Sequence, residues 1–403
     1  MPVPFAGYVL QFNLKDDWTM ALSYQLDDKH EMLRTAVREF AENEIRPVAG
    51  ELEENETFSV RLTRQMGEIG LFGMIVPEAL GGQGLDYVSY IIAVEEIARV
   101  DGSQAATVAA GNSLGLSPVY YFGSPEQQQK YLPELCSGEA LMGFGLTEPN
   151  AGSDAGASRT RAVRDGNHWI LNGSKIFITN AATPMTRGTI IQAVTGSDDR
   201  GKPEHTCFIV ENNTPGYTAA PMKRKLMWRA SNTAEISLED CRVTEDAVLG
   251  NPGDGFRQML STLDRGRLSI AAMGLGCAQG AYEAALKYSK ERVQFDRPIS
   301  KQQVISFKLA DMAMKIEMAR NFLYRACWLA DQHRPFGKEA AMSKLYCSEI
   351  AKEVADDAVQ IHGGYGLMKE YDVERFYRDQ RLLQIGEGTS EVLRLVISRA
   401  IGC

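Results

Sequence analysis

From Gln25 to about Leu141, apolar residues recur at helical spacing. Leu33, Val37, Phe40 and Ala41 fall at i, i+4, i+7 and i+8. After the loop "PEALGGQGLD" the run "VSYIIAVEEIARV" continues the theme. Between about Gly143 and Gly250 the texture changes to short β-rich runs, "HWILNG", "KIFITN", "GTIIQAV", "HTCFIVEN" and "AEISLEDCRV", separated by Gly, Asn, Asp and Pro turns. That pattern predicts a small antiparallel sheet. From Gly255 onward the period is helical again. Leu268, Ala271, Ala272, Leu275, Ala278 and Ala281 mark one face. Leu309, Met312, Ile316, Ala319 and Leu323 mark a second, and Ala341, Leu345, Val354, Ala358 and Ile361 a third. Long helices of this kind suit a bundle. The expectation is an α+β chain of three parts: helical over 20–142, β over 143–254, and a helical bundle over 255–403.

The chain carries a net charge of -9, with 24% charged and 44% hydrophobic residues. This argues against a general nucleic-acid binder. No stretch approaches the ~20 apolar residues that a membrane-spanning helix needs. The seven cysteines are scattered without a CxxC pair, and the five histidines without a His-x-x-x-His pair. Reduced thiols, no disulfide frame and no metal centre are expected. The first ~20 residues lack the marks of a targeting peptide. Residues 1–19 are set aside, Met20 offers a second start, and a cytoplasmic, prokaryotic-type location is expected.

Several motifs invite chemistry. "GSDDRGKP" (196–203) has phosphate-loop spacing, but Pro203 stands where Ser or Thr belongs. "GNSLG" (111–115) has the spacing of a hydrolase nucleophile elbow and makes Ser113 the candidate of a serine-hydrolase reading. Its flanks are helix-compatible, so a helix break lining a pocket is the plainer expectation. No GxGxxG follows a strand, which removes the common dinucleotide fold. "GFGLTEPNAGSDAGA" (143–157) combines small residues for close backbone approach with Thr147, Ser153 and Asp154 as polar contacts. In "LLQIGEGTSEVLRLVI" one acid, Glu387, sits between two glycines. Taken alone this is a helix start, with Thr389 or Ser390 as cap and an acid near the positive end of the dipole.

In order, "PEALGGQGLD", "GLTEPNAGSDA", "LNGSKIFITNA", "RASNTAEISLEDCRV", "LDRGR", "ERVQFDRPI", "VQIHGGYG" and "RDQRLLQIGEGTSEVLRLVI" resemble the acyl-CoA dehydrogenase family, from about Tyr24 to Ala400. The resemblance implies a helical N-terminal domain, a middle β domain and a C-terminal four-helix bundle. It also implies FAD, an acyl-CoA substrate, an electron-transferring flavoprotein as acceptor, a homotetramer, and a place in fatty or carboxylic acid degradation.

By the same resemblance Phe144, Leu146, Thr147 and Ser153 match a flavin-contacting turn. Phe177 and Thr179 match the WIT motif, with Phe in place of Trp. Arg292, Phe295, Gln302, Gln303, Gln360, Gly363 and Gly364 match positions that hold the FAD pyrophosphate and adenosine across a subunit interface. Thr389 and Glu391 also match FAD contacts. Ser153, Asp264, Arg267 and Gly388 match positions on CoA, although Asp264 and Arg267 also read as an i, i+3 ion pair. Glu387 falls on the position of the catalytic base. The alternative base position of some relatives, two residues after the aspartate of "LDxxR", is Gly266 here. Gly386, where many relatives have Tyr, and the small Ala110 imply a wide pocket for a branched, cyclic, aryl or longer acyl group. Met227 replaces a common Gly. Asp101 reads as an N-cap, with a second acid-base role as the alternative. A flavin oxidase, monooxygenase or enoyl-CoA reductase of the same fold is the runner-up activity, and a catalytically silent scaffold is a third reading.

Overall fold

The computed structural model describes residues 26–197 and 199–403. Segment 1–19, the expected domain start at residue 20, the onset of the helical pattern at Gln25 and Asp198 of the phosphate-loop-like stretch lie outside the described residues. The chain begins with helices α1 (Asp28–Phe40), α2 (Arg46–Glu54), α3 (Val60–Glu68), α4 (Tyr87–Ala98), α5 (Gly102–Ala110), α6 (Ser117–Phe122) and α7 (Pro125–Cys136). Their starts are written in the sequence. Asp27, Asp86 and Asp101 each accept a backbone N–H from three residues on, at 2.9, 2.7 and 2.8 Å, and Ser124 forms a reciprocal capping box with Gln127. Asp101 is therefore a cap, as its place in "RVDGS" implied.

The expected break at "GNSLG" needs correction. A π-turn over Gly111–Leu116 carries α5 into α6 without leaving helix. The glycines serve packing: a Cβ on Gly115 would come within 2.4 Å of the Met142 carbonyl. Asn112 donates to the Leu71 carbonyl at 2.8 Å, and the Ser113 hydroxyl to that of Ala109 at 2.7 Å. Ser113 follows a helix and sits within one, so the strand–turn–helix elbow of a hydrolase is absent here.

The sheet consists of β1 (Leu141–Gly145), β2 (Arg161–Asp165), β3 (His168–Thr179), β4 (Thr186–Ser197), β5 (Pro203–Glu211), β6 (Tyr217–Pro221), β7 (Thr233–Thr244) and β8 (Val248–Leu249). The order is β6-β7-β3-β2-β4-β5-β8, with β1 added on β4. The ladder is antiparallel as expected, with one correction. β1 runs parallel to β4, Phe144 opposite Ile190, and β2 meets β4 in a single parallel pair. The GxxxxGK spacing falls on the β4–β5 hairpin, as its turn residues implied.

The long helix α8 (Gly255–Glu291) follows, then the short hairpin β9 (Val293–Gln294) and β10 (Arg297–Pro298), α9 (Gln303–Asp331), α10 (Gly337–His362), α11 (Val373–Leu383) and α12 (Ser390–Ala400). One core joins α4, α5, α8, α9, α10 and α11 through Ile91, Ala105, Leu275, Leu323, Val354 and Phe376, all at most 2% exposed. Two smaller cores lie around β1 and α7, and inside the sheet. Among the described residues no helix is long and apolar enough to cross a membrane, and no cluster of His, Cys, Asp and Glu could hold a metal. All seven thiols are free, and all but Cys403 are buried.

Candidate active site

Glu387 lies in the turn between α11 and α12. Thr389 caps α12 by accepting the Val392 N–H at 3.2 Å, so the helix start is real and the acid stands before it. Glu387 itself has φ +52°, and Gly388 has φ +100°. A non-glycine residue in the left-handed region is strained by ~1–3 kcal/mol and persists only where its surroundings hold it. The strain turns the side chain inward. Oε2 is buried with no hydrogen-bond partner among the described residues. Burial raises the carboxyl to a pKa of about 7, against the pull of Lys344 and Arg267. Gly266 on α8 faces it: a Cβ there would lie 2.0 Å from Glu387 Oε2. The two candidate base positions read from the sequence thus converge on one point, and glycine at 266 is the space in which the Glu387 carboxylate sits.

Around this point, Arg267 is buried and contacts Asp264 Oδ1 at 2.5 Å, with its Nε unpaired. Ala110 is buried at the end of α5. A Cβ on Gly386 would meet nothing nearer than 3.7 Å, so packing does not require glycine there. Met227 packs against the main core.

The other sequence candidates form two groups. Phe144 and Leu146 are buried and Thr147 half-buried at the end of β1; the Thr147 carbonyl accepts the Ile176 N–H at 2.9 Å, which brings this turn beside β3. On β3, pairing with β7 slips between Lys175 and Ile178. In that bulge Phe177 takes φ +62° and stands 63% exposed, with Thr179 half-buried two residues on. Ser153 is exposed on the following turn. The second group is the hairpin and the C-terminal end of α10. Arg292 lies 5.7 Å from the centre of the Tyr365 ring, and Phe295 is 88% exposed at φ +54°. Gln302 accepts from Arg297 at 2.7 Å, while Gln303, Gln360, Gly363 and Gly364 are exposed. No hydrogen bond or ion pair joins the two groups among the described residues. Thr389 and Glu391 flank the Glu387 turn.

Comparison with known proteins decides the family. Residues 27–139 match the acyl-CoA dehydrogenase N-terminal domain, 143–241 the middle domain and 253–402 the C-terminal domain. The chain belongs to the acyl-CoA dehydrogenase family. Members of this family are oxidoreductases acting on CH–CH bonds and use FAD. The probable acyl-CoA dehydrogenase YngJ of Bacillus subtilis (strain 168) is 50% identical over 94% of this chain and 100% of its own. Among solved structures, butyryl-CoA dehydrogenase from Megasphaera elsdenii matches with TM-score 0.91 at 40% identity, over 94% of this chain and 100% of that one. A chain from a structure described as the electron transferring flavoprotein of Acidaminococcus fermentans matches with TM-score 0.91 at 43% identity, again over 94% and 100%.

The residues present fit the cofactor of an acyl-CoA dehydrogenase. Phe177 and Phe295 are large aromatic rings held out in left-handed backbone with little of this chain covering them, as a ring system laid on them would require. Sequence reasoning missed Lys344 of α10, whose side chain is fully buried and reaches the turn of Glu387. A signal existed. Lys344 falls in step with Ala340, Ala341, Cys347, Ser348 and Ala351 on the buried face of α10, a place where a lone cation has a cost.

Proposed function

We propose that this acyl-CoA dehydrogenase converts an acyl-CoA thioester to the 2-enoyl-CoA, with Glu387 as the base that removes the α-proton. The observation carrying this reading is the half-buried Glu387, its Oε2 buried and without a partner among the described residues and its carboxyl raised to a pKa of about 7. A base that titrates near working pH is efficient. The backbone N–H of Glu387 donates to the thioester oxygen and stabilises the charge that develops there. Bound FAD supplies the acceptor, at N5, for the hydride that leaves the β-carbon. Phe144, Leu146, Thr147, Phe177 and Thr179 would hold the flavin end, and Thr389 and Glu391 flank it. Arg292, Phe295, Gln302, Gln303, Gln360, Gly363 and Gly364 would hold the pyrophosphate and adenosine of a neighbouring subunit's cofactor. Ser153, Asp264, Arg267 and Gly388 would take the CoA.

The separation of the two cofactor groups supports a homotetramer, as does a stripe on α9 of Val304, Phe307, Met314 and Met318, each at least 55% exposed. The proposed domain boundaries are 142/143, which falls within β1, and 254/255, where α8 begins. An electron-transferring flavoprotein is the proposed acceptor. For the acyl group, the open space at Gly386 and the small Ala110 support a branched, cyclic, aryl or longer chain. The likeness to a butyryl-CoA dehydrogenase supports a short straight one instead.

The test is the visible spectrum before and after anaerobic addition of straight, branched, cyclic and aryl acyl-CoAs. The expected flavin band bleaches with one class, which names the acyl group. A flavin that no thioester bleaches would move the assignment to an oxidase, monooxygenase or reductase. A protein that takes up no FAD would overturn the reading.

A further inference from the structure

The turn that carries Glu387 is gripped by one face of one helix. Lys344, Ser348 and Glu349 follow each other along α10, and each reaches the turn or its flanks. Lys344 Nζ donates to the Gly388 carbonyl at 2.7 Å. Ser348 Oγ lies 2.8 Å from the Leu383 carbonyl, where α11 ends. Glu349 accepts from Gln384 Nε2 at 2.8 Å and from Ser390 Oγ at 2.7 Å. Both ends of the turn are thus pinned, and the Lys344 contact falls on the peptide immediately after the candidate base.

Lys344 is an unusual choice for this work. Its side chain is fully buried, and among the described residues its ammonium makes one hydrogen bond, to a neutral carbonyl. A serine or asparagine would suffice for that bond without bringing a charge into the core. The charged groups acting on Lys344 are Glu387, Arg267 and Glu349. Glu387 is faced in turn by Lys344 from α10, Arg267 from α8 and the Tyr90 phenol from α4. Arg267 already has Asp264; among the described residues Lys344 has no carboxylate at ion-pair distance.

We propose that Lys344 is the positioning residue of the base: its ammonium fixes the Gly388 carbonyl, and so the left-handed Glu387–Gly388 pair, and its charge favours the ionised Glu387 carboxylate. The inference rests on Glu387 being the base, and it assigns a second residue to that site. Burial lowers the lysine to a pKa of about 8 and Glu387 works against that shift, so the two groups are coupled in the sense the geometry requires.

The experiment is anaerobic flavin reduction by the acyl-CoA that bleaches the wild type, followed from about pH 5.5 to 9 in wild type, K344M, K344R and E387Q holoenzymes. Hydrogen exchange of residues 384–389 is measured alongside. In K344M the rate at neutral pH is expected to fall by about tenfold or more, and the acid limb to move up by about one pH unit, a tenfold change in the ionisation equilibrium. Exchange in the turn should quicken. K344R, which keeps the charge, should keep the acid limb near its wild-type place. K344M with an unmoved acid limb would overturn the inference, because a lysine needed only for folding predicts that result. Should K344M not hold flavin, K344Q takes its place with the same expected shift. Failure of the underlying reading looks different: the wild type would not bleach, or E387Q would bleach as fast as wild type.

Discussion

At the scale of the residue, the site depends on a conflict deliberately kept. Glu387 occupies backbone space that favours glycine, and its carboxylate occupies the volume that a side chain at 266 would need. Replacing Gly266 with Ala puts a methyl carbon 2.0 Å from Oε2, far inside contact distance, so the carboxylate must move. G266A is expected to keep bound flavin while its reduction by acyl-CoA falls by about 100-fold, since small misplacements of a reacting group are costly. Reduction at the wild-type rate would show that the turn absorbs the clash. E387Q should retain flavin and lose reduction by several orders of magnitude, as stopped-flow absorbance would record. The pH dependence has a fixed sign. The proposed base acts as carboxylate, so kcat/KM should rise with pH and level off above an apparent pKa near 7, the value to which burial brings Glu387. A limb near the ordinary carboxylate range would mean that the free enzyme leaves Glu387 wet.

At the scale of the element, α4 separates what was legible from what was not. Its apolar run announced a helix, and the structure adds Asp86 before it as the cap. Its burial on nearly every side follows from the same run. The fate of Glu95 and Glu96 in the middle of that run was not legible, because apart from Arg99 their partners are far away in sequence. Glu96 takes Arg38 and Arg99; Glu95 takes Arg320 at 3.0 Å and the Tyr324 hydroxyl at 2.7 Å, both from α9. The parallel pairing of β1 with β4 and the grip of α10 on the Glu387 turn escaped for the same reason: periodicity reports which face is buried, and only the fold reports against what. Glu387, by contrast, was singled out by the family resemblance of its segment, since its glycines and neighbours alone read as a helix start. Loss of Glu95 should therefore cost more than a surface charge would. E95A leaves Arg320, 20% exposed in its side chain, without its buried partner and should destabilise by ~3 kcal/mol or more. Denaturant unfolding would check this, and a loss below ~1 kcal/mol would mean that water and Glu317, which Arg320 already contacts at 3.0 Å, suffice for it.

At the scale of the whole molecule, the three parts of the chain meet at a buried knot of charge one helix away from the base. Asp379 of α11 accepts the Trp228 N–H at 2.9 Å from the segment before β7. Arg375, one turn earlier, lies 3.7 Å from the α5 cap Asp101 and donates to the Val100 carbonyl. Glu53 of α2 takes Arg378 and the Arg229 N–H. Burial first, then Glu53 and Asp101, raise Asp379 to a pKa of about 8. In the unfolded chain it would titrate near ~3.9. The folded state therefore binds a proton that the unfolded state releases between these two values, so this group's contribution is greatest at low pH, falls as pH rises through the window, and reaches its floor above about 8. As the proposed base, Glu387 pulls the other way for activity, since it would lose its proton near 7. On that proposal turnover rises across neutral pH while this junction loses stability, and α11 leads straight from Asp379 into the turn that carries Glu387. D379N removes the proton linkage while keeping an oxygen for the Trp228 N–H. Between pH 6 and 9, thermal unfolding should show a smaller drop in Tm for D379N than for wild type, with the variant the more stable at the alkaline end. Parallel curves would mean that Arg375 keeps Asp379 ionised in the fold throughout, and the junction would then be an ion pair in place of a proton-holding one.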